Sequence, residues 1–178
     1  MSGPWSPELA LEFGRAHVEV GDFNGCYLLG RDDGIVVIPC IADQGSTAAM
    51  IGLEIIAGNL PSPEWLLLIA DTYHLGGVAR REEAPASLEA AFLAGDSRVS
   101  EAISVLCLSP DGPSYHGMQP YHREDGVIEW GAIDTHVDMS GMGGGLVELM
   151  RAVLVAPAGS EPRAADQLGL ERILLSED

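Results

Sequence analysis

Two carboxylates, each set against an otherwise apolar run, are the residues of this chain with the strongest claim to chemistry. In an extended segment over residues 98–108, Val99, Glu101, Ile103, Val105 and Cys107 fall on one side, and Ser100, Ala102, Ser104, Leu106 and Leu108 on the other. Glu101 is the only charged group in its row. If that row faces a core, the carboxylate must find donors or shift its pKa upward, which suits a general acid or base or a hard-metal ligand. A glutamate near a strand end that reaches water or pairs with an arginine such as Arg98 is the plainer account.

Asp71 is the parallel case. It closes the apolar run at residues 65–70, and Thr72, Tyr73 and His74 follow it. The C-terminal ends of central strands are where α/β-type sheets place polar site residues, so the cluster offers a carboxylate, a phenol and an imidazole to one crevice. Asp and Thr are also ordinary turn formers after a strand. The candidate catalytic set is therefore Glu101, Asp71, His74 and Tyr73.

Other chemistries have weaker support. The histidines His17, His74, His116, His122 and His136 form no HExxH, HxH or closely spaced Cys/His set, which argues against zinc. His116 and His122 share a strand face but lie about 20 Å apart when extended. His136 and Asp138 can point to one side, and a magnesium site built on loosely spaced carboxylates would leave no motif. No G-x-S-x-G elbow or reactive-cysteine signature is present. The glycine-rich stretch 141–145 opens a helix but matches neither G-x-G-x-x-G nor a P-loop, and Asp134 and Asp138 would oppose phosphate, so a hinge or close packing fits better. No cofactor is expected.

The elements that must position these groups are read from turns and periodicity. Asn24-Gly25 and Asp32-Asp33-Gly34 separate strands at 16–23, 26–30 and 35–41, a first meander. A helical pattern covers 44–60 and ends at Pro61-Ser62-Pro63. Residues 65–70 read as a buried strand, and 87–94 as a short helix capped by Ser87. Strands at 98–108, 114–122 and 127–132, joined by turns at Pro110-Asp111-Gly112-Pro113 and Asp125-Gly126, make a second meander. Pro120 cannot donate to a ladder, so its strand must be an edge or bulged there. Leu146, Leu149, Met150, Val153 and Leu154 mark an amphipathic helix. The expected fold is α+β, with two antiparallel meanders forming a mixed sheet packed against three or four helices. Residues 1–156 form a single domain, and 157–178 a linker and short C-terminal helix.

Charge bounds the partners. The chain has 178 residues, 27 acidic against nine basic, and a net charge of −18; every basic residue is arginine. Without lysine, Schiff-base chemistry and a P-loop lysine are excluded, and no basic footprint for nucleic acid can be assembled. A lysine-free chain rich in Ala, Gly and Arg is what a high-GC bacterium or its virus would encode. Three cysteines with no metal-type spacing, no secretory leader and no apolar run near membrane-spanning length point to a cytoplasmic protein with no membrane partner.

Three functions are compatible with these features. The first is an acidic interaction protein, accessory, inhibitory or virion-associated, that binds a basic protein partner, with room for a homo-oligomer; the edge-prone second meander could pair with a partner strand. The second is a small acid/base or metal-assisted hydrolase using Glu101, Asp71 and His74, which requires residues 71 and 101 to converge. The third is a DNA mimic, which requires an acidic stripe rather than a uniform coat.

Overall fold

The structure, a computed structural model, describes residues 4–21, 23–31, 34–40, 49, 52, 53, 56, 57, 60, 62–76, 84–110, 114–137 and 145–155. Its first element is helix α1 (Pro7–Val20). Ser6 caps it by accepting from the Leu9 amide at 3.3 Å, and Pro7 takes the first turn, where its missing N–H costs nothing. Ala10, Leu11, Gly14 and Val18 form its buried stripe. Residues 16–20, expected as part of a first strand, are thus the end of this helix. The alternation of His17, Val18, Glu19 and Val20 mimicked a strand because four residues are too few to separate a period of 2 from one of 3.6.

The strands are β1 (Cys26–Arg31), β2 (Gly34–Pro39), β3 (Trp65–Leu75), β4 (Val99–Leu108), β5 (Tyr115–Glu124), β6 (Val127–Trp130) and β7 (Asp134–His136). They form one seven-stranded sheet in the order β2-β1-β3-β4-β5-β6, with β7 also on β5, and every pairing is antiparallel. The expected two meanders and mixed sheet are therefore corrected to a single antiparallel sheet. The joining strand is β3, whose Leu67 faces Leu28 of β1 on one side and Cys107 of β4 on the other. It is apolar on both faces over its first half, as a central strand must be.

Helix α2 (Leu88–Leu93), capped by Ser87, precedes β4, and helix α3 (Gly145–Val155) follows β7. With α1, these are the three helices bounded among the described residues. Within the expected helix at 44–60, Ala49, Gly52, Leu53, Ile56 and Ala57 are helical and the other residues, Leu60 apart, lie outside the described set. The glycines at 141–144, the region 157–178 with its expected helix, and Asp138 also lie outside it.

Two cores result, one on each face of the sheet. Ala10, Leu11 and Val18 of α1 cover Leu28, Trp65, Leu67, Ile69, Ile103 and Val105. Val147, Leu149, Met150 and Val153 of α3, with Leu53, Ile56 and Ala57, cover Tyr27, Leu29, Leu66, Leu68 and Leu106. Cys26 and Cys107 belong to the α1 face and Cys40 to the α3 face; all three are buried and none is in a disulfide. Burial pushes their thiols up, to about 12 for Cys26 and Cys107 and about 11 for Cys40.

Pro120 acts as its chemistry requires. Along the outer side of β5, Tyr121 faces Trp130 of β6 and Met118 faces Asp134 of β7, so three steps on β5 correspond to four on its neighbour. The extra residue makes a bulge at 131–133 beside the proline that cannot donate. The Gly131 backbone N–H donates to the Pro120 carbonyl at 2.8 Å, and the side-chain Nε2 of Gln119 donates to the Gly131 carbonyl at 2.9 Å, closing the break.

Candidate functional site

Beyond Ala70, β3 does not turn. It continues to Leu75, paired with β4 throughout, so the Asp-Thr-Tyr-His cluster lies within a strand and alternates between the two faces. Asp71 and Tyr73 fall on the α1 face. His74, opposite Ser100, falls on the other face and does not join the carboxylates.

Glu101 is directly opposite Tyr73 on β3 and Tyr121 on β5, and Asp71 sits diagonally from it on the same face. The Tyr121 hydroxyl lies 2.9 Å from each Asp71 carboxylate oxygen and 3.4 Å from Glu101 Oε1. Arg123, two residues further along β5, brings Nε to 4.0 Å from Glu101 Oε2, and its guanidinium carbon lies 5.5 Å from the centre of the Tyr121 ring. Trp130 packs on that ring from β6, with centroids 5.0 Å apart, and donates its indole N–H to Glu19 of α1 at 3.1 Å. The structure thus gathers Asp71, Glu101, Tyr121 and Arg123 across three adjacent strands. Tyr73 turns its ring toward Phe92 of α2, with centroids 5.2 Å apart.

The electrostatics follow from partial burial. Desolvation raises Asp71 to about 6, opposed by the hydrogen bond from Tyr121 and reinforced by the neighbouring Glu101. Tyr121, only 2% exposed, is pushed up by burial and stays a neutral donor. One phenolic proton serves two carboxylates, and Asp71 is the one whose pKa burial lifts to about 6, so it takes up a proton near that pH and gives it up above it. This is the property of a general acid or base. A shallow recess of about 290 Å³ is bordered by Ser100, Pro120, His122 and Glu129, which by register lie on the α3 face, opposite the carboxylates. A larger one, about 390 Å³, lies far from the carboxylates between Leu108 and Leu154 and is mostly apolar.

A second polar row occupies the α3 face. Ser104 Oγ lies 3.2 Å from His116 Nε2; His116 stacks parallel to its cross-strand partner His136, with centroids 6.4 Å apart; and His136 Nε2 lies 3.2 Å from Asp134 Oδ2. Burial, then the adjacent His136, lowers the His116 pKa, and the Asp134 carboxylate opposes the shift. Among the described residues no group of three or more His, Cys, Asp or Glu side chains is arranged to hold a metal ion, and no helix is long and apolar enough to cross a membrane.

Tyr121 and Arg123 are the members of the cluster that sequence reasoning missed. Their positions in β5 follow from the alternation Tyr115, Gly117, Gln119, Tyr121, Arg123, but placing that row beside Glu101 requires the β4–β5 register. The cation beside Glu101 is Arg123, while the expected Arg98 binds Asp96 at 2.7 and 3.0 Å. The chain is thus an α+β protein whose single antiparallel sheet carries helices on both faces. Comparison with protein-family models, with curated proteins and with solved structures finds no significant match to it.

Proposed function

We propose that this chain is an acidic interaction protein that binds a basic protein partner, in an accessory, inhibitory or virion-associated role. The observation that carries the reading is the excess of 27 acidic over nine basic residues. Much of it is displayed on the exterior: Glu8, Glu12 and Glu19 are exposed along α1, and Glu124, Asp125, Glu129 and Asp134 along the sheet margin at β5–β7. Such a surface accelerates encounter with a cationic one and repels nucleic acid. The test is affinity capture from the source cell followed by titration of the purified partner against salt. A basic protein whose affinity falls steeply as salt rises is the expected result. A captured partner bound equally at low and high salt overturns the reading, as does the absence of any basic partner.

A second reading, acid–base chemistry by Asp71 and Glu101 on a small hydrolysable substrate, is favoured by one specific observation: both carboxylates meet the same Tyr121 hydroxyl. His74 has no part in it.

A further inference from the structure

The sheet has two margins, and they differ in what they would accept. The β2 margin, Gly34–Pro39, carries no ionisable side chain, and its Ile35, Val36 and Ile38 are half-buried. The opposite margin is open among the described residues. Every residue from Gly131 to Val137 is exposed, with Ile133 at 45% and Val137 at 79%, and no strand lies outside β6 and β7 among the described residues. An extended chain laid along such a margin can continue the hydrogen-bonded ladder.

We infer that the outer edge of β6–β7 docks an extended, cationic segment of the partner, an inference that rests on the basic-partner reading. The side chains select that occupant. Register with β5 places Glu129 of β6 and Asp134 and His136 of β7 on the α3 face of the margin, and Ile128 and Trp130 of β6 and Thr135 of β7 on the other. An added strand would set its alternate side chains beside these rows. Arginine or lysine facing Glu129 and Asp134, with apolar residues beside Ile128 and Trp130, satisfies both rows at once. A second copy of this chain fits badly: its net charge of −18 would bring like-charged edges together. The carboxylates that keep two copies apart thus admit a cationic strand.

The test uses the full chain and two labelled ten-residue peptides, one alternating Arg and Val, the other of the same sequence with every backbone amide N-methylated. Their charge and side chains are equal, but the methylated peptide lacks the backbone donors a ladder needs. The unmethylated peptide is expected to bind about tenfold or more tightly than the methylated one, the gain of a few net hydrogen bonds. Its amide shifts are expected to concentrate at residues 127–137, and the exposed double variant Glu129→Gln/Asp134→Asn is expected to weaken it. Equal binding of both peptides overturns strand docking and leaves the basic-partner reading standing. Binding of neither overturns both. Binding of the unmethylated peptide that maps elsewhere, or dimerisation in sedimentation that this peptide competes away, reassigns the edge and overturns the inference.

Discussion

Over residues 65–69, β3 is buried on both faces, whereas residues 70–75 are half-exposed, although one ladder with β4 runs from Leu66 opposite Leu108 to Leu75 opposite Val99. The backbone pairing is the same in both halves, so what differs is the cover. Gly14 lets α1 touch the sheet at Ile103 and Ile69, where an added Cβ would lie 2.7 and 3.1 Å from their Cγ2 atoms. Glu101 and Asp71 each stand one same-face step further along those two strands. In the first half every face meets a helix and only apolar side chains are tolerated. In the second, water reaches part of the α1 face, and the carboxylates persist by sharing a phenol and an arginine.

The sharpest break of this comparison is at its buried end. Gly30 faces Trp65, and a Cβ there would fall 1.9 Å from the indole nitrogen. Gly30→Ala is expected to cost about 3 kcal/mol or more in denaturant unfolding, since Trp65 is 2% exposed and cannot retreat into a packed core. A loss under about 1 kcal/mol would show that this half is packed as loosely as the other.

At the polar end the largest effect belongs to Asp71. Its folded pKa, raised to about 6 from an ordinary 3.8, means that the folded state holds a proton the unfolded chain has released between those values. The associated stability is complete below about pH 4 and is lost as pH rises through about 6. Asp71→Asn is therefore expected to leave stability unchanged at pH 4 and raise it by roughly 1–2 kcal/mol at pH 8, after a discount for solvent screening. Parallel pH profiles for the two proteins would place Asp71 in water and erase the difference in cover.

Glu101→Gln gives the smallest change. Its side chain is 23% exposed, and Arg123 stands at 4.0 Å, so the expected shift is under about 1 kcal/mol in either direction. A loss near 3 kcal/mol would instead mark a buried ion pair broken on one side. Loss of a measurable hydrolytic activity in this variant, with stability intact, would favour the acid–base reading.

What the sequence disclosed follows the same division. The hairpin of β1 and β2 and the run β4–β5–β6 were legible because Asp32-Asp33-Gly34 and Asp125-Gly126 are turn sequences that accept positive φ, and Gly34 at 140°, Asp125 at 50° and Gly126 at 80° adopt it. The second half of β3 was not, because Asp71 and Thr72 have local turn preferences that ten cross-strand pairs with β4 override. The meeting of Asp71 with Glu101 depends on a register between strands separated by a helix, which no local pattern encodes.

The buried cysteines acquire a use from their placement. A thiol held protonated up to about 11 or 12 does not attack an alkylating reagent until the structure around it opens. Cys26 and Cys107 lie under α1, and Cys40 lies under the opposite helical layer. The molecule therefore carries its own pair of clocks: the rate at which each thiol is consumed times the lifting of one layer independently of the other.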